Sequence, residues 1–380
     1  MSDSRVDQLS ADVLKRVVVT RFAFEDLVLV PILAVIIALI LGGLIMLATG
    51  VGPDAIRLTY IALFRGSVGS IGAISETLTA AVPLTLCGLG IAIGFRAGLF
   101  NIGAEGQVII GGLTATVVGF SLPDLPIYIH LPLALIAGAI GGGLYAAIAG
   151  WLKASTGAHE VITTIMLNLI AVKLLDFLLR NAPIQKLGRS DPISKNILES
   201  AELPKLLTWI DPSYRLHAGI ILALAAVAFV YWLLYRTTLG FEFRASGFNP
   251  DAAKYAGMRS GLIIVLVMGF AGALAGLAGA NQVLGVLGRA SPSFSGGIGF
   301  DAIAVALLGR SHPVGVLMAG LLFGALQAGG RQMQVGAGVN IDLITVIQAL
   351  IIFFIAAPML VRAIAPWAFR SRRSAGAGAG

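Results

Sequence analysis

Few residues in this 380-residue chain are equipped for chemistry, and five of them interrupt apolar sequence. Asn101, Glu105 and Gln107 lie in RAGLFNIGAEGQVIIGG (96–112), with Gly103 and Gly106 between them, while Asn168 and Asp301 break apolar runs further on. A carboxylate at the centre of an inserted helix costs about 2.5–3.5 kcal/mol, so Glu105 and Asp301 must face protein or a water-filled path, with lipid excluded. The glycines permit irregular backbone, which persists at membrane depth only where it packs on protein or lines a cavity. The chemistry on offer is the passage of a polar solute or an ion, with Asn101, Glu105, Gln107, Asn168 and Asp301 as candidate pathway residues. A capping role fits the same two carboxylates. Each falls near a helix start after a glycine-rich turn, where it can satisfy free N–H groups and the helix dipole.

Catalysis finds little support. No nucleophile is paired with a base, and no two carboxylates stand at catalytic spacing. His130, His159, His217 and His312 occur singly at segment ends without metal-ligand spacing. The lone Cys87 sits in an apolar run, where it reads as a small packing residue, and it can form no internal disulfide. No G-x-x-x-x-G-K-[ST] sequence occurs, so the chain has no P-loop for ATP. The reading is of a non-enzymatic chain that binds no cofactor or metal itself.

The elements that must hold these residues are membrane spans. Hydrophobic residues make up 57% of the chain and charged residues 12%, with a mean hydropathy of +0.93. A soluble domain carries about 25% charged residues and could not hide this much apolar surface. The expected class is an all-α polytopic membrane protein: a cytoplasmic N-terminal tail (1–27), one transmembrane domain (28–363) and a cytoplasmic C-terminal tail (364–380). Spans are expected at about 27–48, 78–95, 99–120, 131–152, 158–179, 217–235, 261–284, 313–329 and 341–361. Residues 50–77 read as an outer connection containing an amphipathic helix at 55–64, and the charged stretches 181–215 and 236–260 as polar segments between spans.

The apolar piece at 298–309 decides the topology. As a helix it rises only about 17 Å, short of a hydrocarbon core of roughly 30 Å, so it is a broken, half-span helix. If it still carries the chain across, there are about ten segments and both termini are cytoplasmic. Lys15, Arg16, Arg21, Arg96, Lys153, the 236–259 cations, Arg362, Arg370, Arg372 and Arg373 then all lie inside, as the positive-inside rule favours. The net charge of +7 is explained by this orientation and by anionic lipid headgroups, without nucleic acid. An internal repeat follows the same count. Asn101-Ile-Gly-Ala-Glu105 matches Gly297-Ile-Gly-Phe-Asp301, and Gly138, Gly142 and Leu144 match Gly320, Gly324 and Leu326, which places inverted repeats five crossings apart.

Other polar residues have structural readings. Lys173 and Asp176, three apart on a span, are expected to neutralise each other. Asn168, Asn281, Gln282, Gln327 and Gln348 fit interhelical hydrogen bonds as well as solute contacts. Asn249-Pro250-Asp251 reads as a helix start, with Ala252, Ala253, Lys254 and Tyr255 forming two turns that Gly257 ends.

Four motifs, RAGLFNIGAEGQ (96–107), HEVITTIMLN (159–168), NPDAAKYAGM (249–258) and GIGFDAIAVALLGRSHPVGV (297–316), together resemble the permease subunits of bacterial ABC importers. The resemblance is to the branched-chain amino acid, ribose and nucleoside group, closest to its nucleoside or simple-sugar branch, and covers residues 28–363 in order. It implies a permease of the bacterial inner membrane working as a homodimer or heterodimer. The implied partners are two ABC ATPase subunits, which would use the ATP, and an extracytoplasmic solute-binding protein. By the same resemblance Asn249, Pro250, Asp251, Ala252, Lys254 and Tyr255 form the coupling helix that docks on the ATPase. The solute implied first is a nucleoside, then a ribose-like sugar, then a branched-chain amino acid. A proton-coupled secondary transporter would also use inverted repeats and intramembrane carboxylates, but has no use for a coupling segment.

Overall fold

The computed structural model describes residues 29–186, 188–337, 342–356, 360, 361 and 364. The expected N-terminal tail with Lys15, Arg16 and Arg21, together with Arg362 and the arginines beyond Ile364, lies outside them. Apolar runs wind into helices, two of which, the third and the fifth, carry an internal proline (Pro83 and Pro132): α1 (Val30–Ala48), α2 (Pro53–Val68), α3 (Ile71–Arg96), α4 (Ala104–Ser121), α5 (Ile127–Thr156), α6 (Glu160–Leu179) and α7 (Gly219–Arg236). Then come α8 (Thr238–Phe248), α9 (Pro250–Tyr255), α10 (Ser260–Gln282), α11 (Ile298–Leu308), α12 (Pro313–Ala337) and α13 (Asp342–Ala356). Six of these stretches are long and apolar enough to cross a membrane: α3, α5, α6, α7, α10 with its π-helical extension to Leu287, and α12 up to Val335.

Several boundaries differ from the sequence reading, for local reasons. Ser70 accepts a hydrogen bond from the Ala73 N–H and starts α3 there, so the helix holds 26 residues and takes in the last part, 71–77, of the expected outer connection. The expected helix at 55–64 extends to Pro53–Val68. Span three begins as helix only at Ala104, because Gly98, in the left-handed region at φ +71°, turns the chain out of α3 and residues 99–102 form no helix. The 236–260 segment holds the expected two-turn helix as α9 and, ahead of it, a further helix, α8. Asp176 pairs with Arg180 one turn later at 2.9 Å, so the expected Lys173–Asp176 pair is replaced by an i,i+4 bridge with a guanidinium fork. The side chain of Gln348 lies outside the described residues.

The chain divides into two compact units, Met1–Tyr60 with Gln334–Gly380, and Ile61–Met333. In the first, Leu33 and Ala34 of α1 cluster with Phe354 of α13, and Gly42 lies against Ile347. The second carries every candidate pathway and coupling residue.

In that second unit, packing is reciprocal. α4 and α5 pack on α10, while α11 packs on α3, with Gly88 against Val305, and α12 packs there too, with Gly320 beside Thr85 and Gly324 beside Thr77. The two supporting helices cross where Gly90 meets the carbonyl of Ala271. Small residues let these backbones approach: a Cβ on Gly276 would overlap the Gly138 carbonyl oxygen and lie 3.0 Å from the Gly142 Cα. Direction is fixed by the same contacts. Gly88 lies by Val305 and Arg96 by Ser311, so α11 runs parallel to α3, and α12 returns antiparallel to both.

The 181–218 segment straps one end of this unit. Leu198 donates to the Gly119 carbonyl at the end of α4, and Leu203 donates to Leu284 beyond α10. Ile197, Ala201 and Leu203 are buried there despite the charged composition of the segment.

Candidate functional site

The N-termini of α4 and α11 meet inside the second unit, and the pathway candidates converge there. Glu105, in the first turn of α4, accepts the Gly297 N–H on Oε1 at 3.2 Å and the Gly299 N–H on Oε2 at 2.7 Å. These are free donors at the start of α11, which has no side-chain cap of its own. Gly299 packs directly on the Ala104–Glu105 backbone, where a Cβ would overlap the Glu105 N. Two positive dipole ends of roughly half a charge each therefore face one buried carboxylate, which balances them.

The amides hold this junction in place. Asn101 Oδ1 accepts the Gly103 N–H at 3.0 Å, and Asn101 and Gln107 exchange two side-chain hydrogen bonds at 2.9 and 3.0 Å. From α6, Asn168 Oδ1 accepts the Gly106 N–H at 2.8 Å while its Nδ2 donates to the Ile102 carbonyl at 2.9 Å. One amide therefore caps α4 and holds the nonhelical strap before it. All four side chains are buried and engaged.

Asp301 is placed differently. It sits on the first turn of α11, half-buried, and accepts one hydrogen bond, 3.0 Å, from Gln327 of α12. Beside it on the helix, Phe300 is 51% exposed. Of the five pathway candidates, Asp301 alone is not buried. The five do not form one cluster of free ligands: four build a closed junction, and the fifth stands at its edge.

The coupling candidates are brought together as a separate element. Asn249 Oδ1 accepts the Ala252 N–H at 3.0 Å, Pro250 occupies the first helical position, and Gly257 at φ +83° ends the turn. Ala253 is buried, whereas Tyr255 and the neighbouring Phe248 are 95% and 94% exposed. Two exposed aromatic rings thus flank a helix of six residues.

Three features escape a reading by motif. Glu76 of α3 takes a bidentate 2.9 Å pair from Arg215 and a 3.5 Å contact from Arg331 of α12. A single glutamate at the start of an apolar run is the only sequence signal for it. Phe248 carries none, since apolar residues at helix ends are common. Tyr231, Tyr235 and His312 stack across elements some eighty residues apart, which no local pattern reveals.

A bundle of long apolar helices around a buried polar junction has the architecture of a polytopic membrane protein. The chain belongs to the family described as the branched-chain amino acid transport system permease component, which matches residues 73–356. It is 42% identical to the guanosine ABC transporter permease protein NupP of Bacillus subtilis over 337 residues, covering 88% of this chain and 94% of that one. It is 38% identical to the nucleoside ABC transporter permease protein NupB of Lactococcus lactis over 343 residues, 89% and 93% of the two chains. It is equally 38% identical to the glucose ABC transporter permease protein TsgB13 of Haloferax volcanii over 332 residues, 86% of each. No solved structure matches it. The chain is thus the membrane-spanning permease subunit of an ABC importer, a multi-pass protein of the cytoplasmic membrane, and the proton-coupled carrier reading falls away.

Proposed function

We propose that this permease imports a nucleoside handed to it by an extracytoplasmic binding protein, in a complex with two ABC ATPases and a second permease. The observation that carries the solute is similarity along nearly the whole chain to permeases named for guanosine and for nucleosides. The glucose-named relative keeps a sugar as the second reading, and a nucleoside contains both a base and a ribose. Asp301 with Gln327 and the exposed Phe300 offers an acceptor, an amide and an aromatic face, which suit base N–H groups and base stacking. Asn101, Glu105, Gln107 and Asn168 shape the pathway by fixing the helix junction beside it.

The proposed topology has ten segments and cytoplasmic termini, the transmembrane domain covering 28–363. The parallel run of α11 with α3 supports counting the half-span helix as a crossing. The repeat is inverted: α4–α5 on α10 and α11–α12 on α3 are its two arms. Asn249, Pro250, Asp251, Ala252, Lys254 and Tyr255, with Phe248, dock on the ATPase. Alternating access then moves any solute that interacts differently with the outward-open and inward-open states.

Competition for uptake tests the solute. In cells expressing the whole importer, unlabelled guanosine, adenosine and uridine are expected to suppress uptake of tritiated guanosine, while glucose and ribose do not. Suppression by glucose or ribose, or absence of importer-dependent guanosine uptake, would move the reading to sugars.

A further inference from the structure

The turn between α11 and α12 is gripped from two directions by the helices around α9. On one side, the Arg244 guanidinium of α8 lies 5.3 Å over the Tyr235 ring of α7. Tyr235 in turn lies 5.7 Å from the His312 ring, and Tyr231 meets both, Tyr235 at 5.2 Å and His312 edge-on at 6.0 Å. On the other side, Gly247 of α8 packs on the Arg96–Ala97 backbone so closely that a Cβ would overlap the Arg96 carbonyl. The Arg96 side chain then donates to the Ser311 carbonyl at 3.0 Å and to the Arg310 carbonyl at 3.3 Å.

Both routes end on one unusual piece of backbone. Arg310 and Ser311 are consecutive non-glycine residues in the left-handed region, each with φ 51°. Such residues cost free energy and persist where their surroundings hold them; here Arg96 and the His312 stack do so. From that turn α11 runs as a single short helix to the Glu105 junction and Asp301 at its far end. A rod of eleven residues, about 16 Å long, is stiff on this scale.

We propose that the Gly309–His312 turn is the lever through which movement of α8–α9 is passed to α11, with Arg96, Tyr235, Arg244 and His312 as positioning residues for the transport step. The idea rests on α9 docking to the ATPase. ATPase closure displaces α8, the Arg244–Tyr235–His312 stack and the Arg96 fork carry the turn with it, and α11 shifts Asp301 relative to the junction. A chain of packed rings and a two-pronged hydrogen bond is a contiguous physical link, which energetic coupling between separated sites can use.

The test compares transport with hydrolysis in the complete importer reconstituted into liposomes, with tritiated guanosine as the probe. In Tyr235→Leu and His312→Leu, guanosine taken up per ATP hydrolysed is expected to fall about tenfold, while ATPase subunits co-purify in the unaltered ratio and still hydrolyse ATP. Tyr235→Phe and His312→Phe keep the rings and are expected to retain the unaltered yield. Arg244→Gln, which removes the cation and leaves the packed rings in place, reads the same ratio if a leucine variant fails to assemble. An unchanged ratio in the leucine variants, or in Arg244→Gln where it replaces them, overturns the lever. ATPase subunits that bind the unaltered chain and bind a Phe248→Ala, Tyr255→Ala variant equally well would instead remove the docking role of α9.

Discussion

Glu105 Oε2 accepts a 2.7 Å hydrogen bond from the backbone N–H of Gly299, 194 residues away in sequence. A carboxylate in the first turn of one helix thereby closes the N-terminus of another, and Gly297 supplies the second N–H to Oε1. The pathway and capping roles open to Glu105 in the sequence are not equivalent in the structure. Both oxygens are engaged and the residue is 7% exposed, so the junction uses Glu105 as a cap in trans.

Glu105→Gln tests that relationship. The amide presents one acceptor and one donor to two backbone donors and removes the charge facing two dipole ends. A loss of about 1–3 kcal/mol is expected from the unsatisfied N–H. It would be read as a lower thermal midpoint of the purified permease, accompanied by reduced uptake. A normal midpoint with lost uptake would show that Glu105 acts on the solute.

Gly276→Ala contrasts with Gly269→Ala on the same helix. The first places a methyl on the Gly138 carbonyl at the α5–α10 crossing, whereas nothing lies within 4 Å of a Cβ at Gly269. Overpacking of this kind costs about 1–3 kcal/mol or more. The expected outcome is poor accumulation of folded protein for Gly276→Ala and near-normal accumulation for Gly269→Ala, measured by size-exclusion profile. Equal profiles would refute the close crossing.

Phe248→Ala with Tyr255→Ala removes two almost fully exposed rings. Stability is expected to stay unchanged while affinity for the ATPase falls by about tenfold or more, as for aromatic anchors of an interface. Titration of the purified ATPase against the permease in nanodiscs checks it. An unchanged affinity would place the ATPase contact elsewhere.

His312 gives a pH dependence outside the spans. Burial and, next, the nearby Arg96 cation hold its imidazole pKa below the ordinary histidine range. The unfolded chain then takes up the proton more readily than the folded one, so this contribution is fully present above about pH 6.5 and is lost as pH falls through the folded value. The thermal midpoint is expected to drop on acidification, and less so in His312→Phe. Identical acid profiles would show that His312 does not contribute.

How much of this was legible in the sequence follows from the range of each interaction. The apolar runs, the half-span helix at 298–308 and the Asn249-Pro250 start of α9 are local patterns, and they stand close to where they were read. Gly103, Glu105 and Gln107 marked the junction because polar residues among glycines are conspicuous in apolar sequence. What that pattern could not convey is the partner: the N–H groups of Gly297 and Gly299, and the α6 side chain of Asn168, come from far along the chain. Asp176 shows the same at short range. Lys173 and Arg180 both lie on its face, and the guanidinium fork decided between them only in three dimensions. The span starts at Ile71 and Ala104 depended on a serine cap and a left-handed glycine, which hydropathy does not register.

Uptake by the reconstituted importer tests the central claim most directly. Proteoliposomes containing this permease, its co-purifying permease and ATPase partners, and the binding protein are loaded with ATP or with a non-hydrolysable analogue, and entry of tritiated guanosine is followed. Accumulation that requires hydrolysable ATP and the binding protein, and is indifferent to a proton gradient, is the predicted result. Accumulation driven by a proton gradient with this chain alone would contradict the account.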